Sequence, residues 1–271
     1  VGTQTLGGTN GTVVFNALSL GGYSNALLAA SDNMTLTIDS GVTIRGGATT
    51  SYGSSIGASN HSFFNSYGNN TSIVNKGKIV ADRAGGTIWV TPNGGTLSNE
   101  GELRIAGGNI GLGGDTTIAS LGILTPGRMI HNGGSGGFQL SGNLNNTGTT
   151  LPLSSAVGSL YLSGGTIQNG TITSANSAKL ILTPSGGTLN NVTMNGDIDA
   201  TTYQSGATIT QGLTLNGGTM TLGENVVIRF NGTQTLGGTN GTVVFNTVSL
   251  SGYSNGLLAT ADNMTLTIDA G

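Results

Sequence analysis

The sequence predicts an all-β chain, a right-handed parallel β-solenoid with about 23 residues per turn and about 12 turns. Three observations carry this expectation. Short segments alternate apolar and polar residues with period two. The chain repeats itself at offsets that are multiples of 23. Glycine supplies 50 of the 271 residues, and with Ser, Thr and Asn makes up about half of the chain.

The alternation is clearest in MTLTID (Met34–Asp39), which sets Met34, Leu36 and Ile38 on one face and Thr35, Thr37 and Asp39 on the other. GELRIAG, ATITQGLTLNGG and GTMTLGENVVIRF follow the same rule. The strands are about 3–6 residues long and are separated by Gly-Gly, Asn-Gly and Thr-Pro turns. The prolines at 92, 126, 152 and 184 fall at segment edges, where a missing N–H is tolerated.

The repeats come on two scales. Residues 2–41 and 232–271 are identical at 33 of 40 positions, at an offset of 230. Residues 1–231 are therefore read as one long unit and 232–271 as the start of the next, within one continuous solenoid. A chain that opens and closes inside the same element reads as a segment of a longer tandem array. IWVTPNGGTLSN (Ile88–Asn99) and LILTPSGGTLNN (Leu180–Asn191) match at an offset of 92. Asn residues at 10, 33, 75, 99, 146, 169, 191, 216, 240 and 263 keep the shorter ruler.

A solenoid explains the composition. Inward Leu, Ile and Val stack like on like, each worth about 1.5–3 kcal/mol on burial. Corners use Gly and Asn, which reach positive φ cheaply. The pattern I/L-x-N-x-G-x-I/L at Ile73–Ile79 and Leu97–Leu103, looser at Leu144–Thr150, places Asn75, Asn99 and Asn146 at inward or corner positions. With Asn169 and Asn191 they are expected to form a ladder of side chains bonded from turn to turn. Leu103 is expected to face inward.

Composition also excludes function classes. Eight Lys+Arg against eleven Asp+Glu, a net charge of -3, leave no basic stripe for nucleic acid. No apolar run is long enough to span a bilayer as a helix. Cysteine is absent, so disulfides and thiolate metal sites are excluded. The pairs Asp197/Asp199 and Glu100/Glu102 share a face at spacing two, as a glycan-cleaving solenoid would need. Basic partners are scarce around them, so both read as solvated strand faces. G-x-S-x-G occurs at Gly53–Gly57, Gly133–Gly137 and Gly252–Gly256 without a following helical pattern, and only His61 and His131 could act as bases. No catalytic residue, metal ligand or cofactor motif is assigned, and the chain reads as a non-enzyme. The stretch Gly46–Ser72 breaks the alternation and concentrates Tyr52, Phe63, Phe64 and Tyr67. It is either an enlarged turn with a plugged core or an exposed aromatic contact protrusion.

At GTQTLGGTNGTVVF, NNVTMNGDID, TQGLTLNGGTMTLG and GVTIRGG the chain resembles the giant repetitive surface proteins of bacteria, the β-strand-repeat, filamentous-haemagglutinin-like and autotransporter-passenger-like β-helices. The resemblance covers essentially the whole chain and implies a secreted adhesin stalk, sheath or matrix fibre at the cell surface. No catalytic residue carries over from it. The expected role is a structural or adhesive rod segment. Its partners would be further copies of itself, end to end or bundled side by side, and a glycan or cell-surface target. The alternative is a glycan-binding or glycan-cleaving β-helix.

Overall fold

The computed structural model describes residues 2–16, 24–50, 52–58, 67–246 and 254–269. Two compact units emerge, Val1–Gly142 with Ala156–Gly158, and Asn143–Ser155 with Ser159–Gly271. Each is a stack of turns in a parallel β-solenoid.

In the first unit every turn has three strands. They are β1 (Gln4–Leu6), β2 (Gly11–Phe15) and β3 (Ala26–Leu28), followed by β4 (Thr35–Ile38), β5 (Val42–Gly46) and β6 (Ser54–Gly57). Next come β7 (Thr71–Asn75), β8 (Lys78–Ala81) and β9 (Thr87–Thr91), then β10 (Gly94–Asn99), β11 (Glu102–Ile105) and β12 (Asn109–Leu112). The fifth turn holds β13 (Asp115–Thr117), a short helix α1 (Ile118–Leu121), β14 (Met129–His131) and β15 (Phe138–Leu140). Three sheets result, with the orders β1-β4-β7-β10-β13, β2-β5-β8-β11-β14 and β3-β6-β9-β12-β15.

The second unit repeats the scheme. Its turns are β16 (Asn143–Asn145), β17 (Thr150–Leu153) and β18 (Leu160–Leu162), then β19 (Thr166–Gln168), β20 (Thr171–Ser174) and β21 (Leu180–Leu182). In the next two turns the first two strands fuse, giving β22 (Thr188–Asn195) with β23 (Ile198–Ala200), and β24 (Gly206–Leu215) with β25 (Thr219–Leu222). The fused strands bend at Asn191 and Gln211, both in the left-handed region. The last strands are β26 (Val227–Phe230), β27 (Gln234–Gly237), β28 (Thr242–Phe245), β29 (Gly256–Ala259) and β30 (Leu266–Ile268). The strand pairs in both units are parallel.

Register stacks like on like. Val13, Ile44, Ile79, Leu103 and Met129 form one column, and Ile88, Ile110 and Phe138 another. In the second unit Leu144, Ile167, Leu189, Ile209 and Phe230 do the same. Leu103 is fully buried, as the alternation requires.

The turn length varies, which a single 23-residue ruler does not express. Within the second unit that column steps by 20 to 23 residues. Leu36 to Ile73 spans 37 residues in the first unit, and Ile73 to Leu97 spans 24. The long step contains residues 46–72, of which 51 and 59–66 lie outside the described residues. Ladder bonds fix only the strands, so the register is kept across steps of different length. The 92-residue offset has a structural basis. Ile88–Asn99 and Leu180–Asn191 each run from the third strand of a turn, through a proline corner, into the first strand of the next.

Glycine is required where turns touch. A Cβ on Gly101 would lie 2.1 Å from the carbonyl oxygen of Gly77 one turn earlier. On the outer face the single tryptophan, Trp89, pairs in register with Gly111 and lies across it. A Cβ on Gly111 would fall 1.8 Å from the indole ring.

Two tests follow from this packing. Leu103→Asp places an unpaired charge between Ile79 and Met129 and is expected to destabilise the protein by at least about 3 kcal/mol in equilibrium denaturation. An unchanged midpoint would contradict the inward column. Gly111→Val is expected to lift the indole into solvent, red-shift the tryptophan emission and lose about 1–3 kcal/mol. Emission identical to wild type would show that the ring rests elsewhere.

Candidate functional site

The N-x-G corners rest on buried asparagines. Asn75 closes β7 and Asn99 closes β10, and both side chains are fully buried. Asn75 Nδ2 donates to Asn99 Oδ1 at 2.7 Å and to the Glu102 carbonyl at 3.2 Å. Asn99 Nδ2 in turn donates to the carbonyls of Leu121 and Arg128, and the Arg128 guanidinium returns a bond to the Asn99 carbonyl at 2.9 Å. Helix α1 thus closes this ladder on one side, its first turn held by reciprocal Thr117 and Ser120 caps. On the other side Asn75 meets Ile38 in register, and its Oδ1 has no partner. The interior ladder is two rungs long.

The five expected ladder residues do not form one series. Asn146 is fully buried, but its Nδ2 donates to the Thr171 carbonyl and its Oδ1 accepts from Thr149 within the second unit. Asn169 and Asn191 adopt positive φ at outer corners, and Asn191 Nδ2 donates to Asn169 Oδ1 at 3.0 Å. Asn70 and Asn33 are joined in the same way at 2.8 Å. The five are therefore of two kinds. One closes a strand with its side chain turned in, and the other holds the left-handed corner with its side chain turned out.

The candidate carboxylates all have bonds of their own. Asp197 accepts from the Thr219 amide at 3.0 Å, and Asp199 accepts from the amide and hydroxyl of Thr201 while lying 3.9 Å from Lys179. Glu102 pairs with Arg104 at 2.6 Å, and Glu100 faces Lys76 at 3.8 Å across one step of the stack. Ser55 of the first G-x-S-x-G is buried inside β6. In the second, both His131 ring nitrogens are engaged by the neighbouring backbone, Nδ1 accepting from Gly133 and Nε2 donating to Gly136. In the third, Gly252 lies outside the described residues, as does His61. Among the described residues no group of three or more His, Cys, Asp or Glu could hold a metal ion.

Of the aromatic cluster, Tyr52 is exposed and Tyr67 half-buried. Phe63 and Phe64 lie outside the described residues.

The repeated 40-residue element is the feature that composition alone could not interpret. Its two copies keep the same strands and the same register, Gln4 on Leu36 and Gln234 on Leu266. They differ in what covers them. In the first copy β5, β6 and β7 lie on β2, β3 and β4, and Phe15 and Ile38 are 3% and 0% exposed. In the second copy β24, β25 and β26 lie beneath β27, β28 and β29. No described strand lies on the far edge of β28, β29 or β30. The equivalent Phe245 and Ile268 are 54% and 68% exposed. Together with Leu215, Leu236, Val243 and Leu257 they line an apolar cavity of about 260 Å³. This surface is apolar, and its strand edges carry no described partner.

Asn99→Leu keeps the volume but leaves the carbonyls of Leu121 and Arg128 without a donor. It is expected to lose about 1–3 kcal/mol in chemical denaturation, and a loss below 0.5 kcal/mol would show the ladder to be ornamental. Comparison with protein-family models, with curated proteins and with solved structures finds no match.

Proposed function

We propose that this chain is a structural and adhesive rod segment of a very long fibre protein at the cell surface or in the extracellular matrix, assembled from tandem 230-residue units. One observation carries the reading. The described strands of the 40-residue element recur in the same order and register in both copies, and each copy displays the face that the other has covered. Laid over one another, the two copies describe a turn paired on both sides.

The chemistry supports a mechanical role. Carboxylates are spent on backbone amides and on opposite charges of adjacent turns, as with Lys76 and Glu100. Load would be shared among ladder bonds in every turn. The surface setting and the secreted, bacterial origin come from the resemblance alone.

The test is a series of recombinant arrays of one, two and three units. Electron microscopy of negatively stained molecules is expected to show contour length rising by a constant increment of about 45 Å per unit, from stacked turns about 4.8 Å apart. Arrays whose length fails to rise with unit number would overturn the reading.

A further inference from the structure

The apolar end face at Phe245, Leu258 and Ile268 is exposed in the structure, whereas the same residues of the first copy lie under a turn whose sequence is known. We infer that this face is a docking surface for one occupant, a turn with the sequence of Val42–Asn75 presented by a following repeat. The inference rests on the tandem-array reading and adds to it a particular partner and register.

The register is set by the first copy. There Val13 stands on Ile44, Leu27 on Ile56 and Leu36 on Ile73. The corresponding residues of the open face are Val243, Leu257 and Leu266, and all three keep the identity of their counterparts. The docking turn therefore lays its Ile44, Ile56 and Ile73 on these three. One of its contacts adds selectivity. Gly46 follows Phe15 in register, and a Cβ there would lie 2.2 Å from the Phe15 carbonyl. Gly57 stands on Leu28 in register, but a Cβ there would meet Ile73 and Thr91 of its own and the following turn, so it adds no selection at this face. The open face presents the carbonyl of Phe245 at the first of these places, so it favours a turn with glycine at the position of Gly46. A strand edge supplies further selection, because parallel pairing fixes chain direction.

The chain has no cysteine, so a disulfide can report the register without background. The full chain is extended after Gly271 by a second copy of residues 42–80. Thr242→Cys is combined with Thr43→Cys in the appended copy, the pair equivalent to Thr12 and Thr43. The off-register control combines Thr242→Cys with Arg45→Cys in the appended copy. Directly paired strands bring Cα atoms within disulfide range, and a two-residue slip does not.

The expected result is an intramolecular disulfide for the first pair and none for the control under mild oxidation. Proteolysis of the β28–β30 region should slow about tenfold or more relative to the unextended chain. Equal cross-linking of both pairs, or unchanged proteolysis, would overturn the inference. Cross-links between molecules in place of those within one would overturn it too, by making a second copy the occupant. Arrays that lengthen regularly while the in-register disulfide fails would sink this inference and leave the fibre reading standing. Arrays that do not lengthen would remove the fibre reading itself.

Discussion

The described strands of this protein take their backbone partners from adjacent turns of the stack. Among the described residues no strand pairs with its immediate neighbour in sequence, as it would in a hairpin. That requirement fixes the parallel direction, and with it the stacking of Ile79 on Ile44 and of Leu103 on Ile79. It also brings corners into direct contact, so that the Gly77 carbonyl occupies the place where a side chain on Gly101 would begin. The high glycine content and the scarcity of charge both descend from this contact. A like charge at a stacked position would meet itself one strand spacing away, and where charges do stack, Lys76 faces Glu100.

Much of this was legible in the residues. Alternation in MTLTID and GELRIAG identified strands and their buried faces, and Leu103 lies where the pattern placed it. The 92-residue match marked the same proline corner twice. Asn10, Asn33, Asn169, Asn191, Asn240 and Asn263, named from spacing alone, all hold positive φ. Turn length was less legible, because the ladder constrains strands and leaves corner excursions free to grow. The 37-residue step from Leu36 to Ile73 obeys the same register rule as its 24-residue neighbour.

The sidedness of asparagine was hidden for a different reason. Asn75 and Asn191 both sit at corners, yet one seals the interior and the other decorates the edge. The difference lies in backbone dihedral, with the left-handed residue turning its side chain outward. Spacing does not encode that choice. Nor does local sequence encode burial at the end face, since Phe15 and Phe245 occupy nearly the same surroundings in sequence and opposite surroundings in space. What covers a stacked turn is decided by the next turn.

The registers carry one consequence for how such a chain acquires its structure. In the regular part of the second unit each residue finds its partner about two dozen positions back, as Ile167 does on Leu144 and Leu189 on Ile167. Closing a loop of that length is entropically modest, and the loss is nearly the same at every step. Growth from a formed edge is then a sequence of equal small additions, whereas starting an edge from bare chain is the slow event. A polypeptide emerging end-first through a narrow opening would meet its template as it appears, and the number of turns already laid down would not slow the laying of the next.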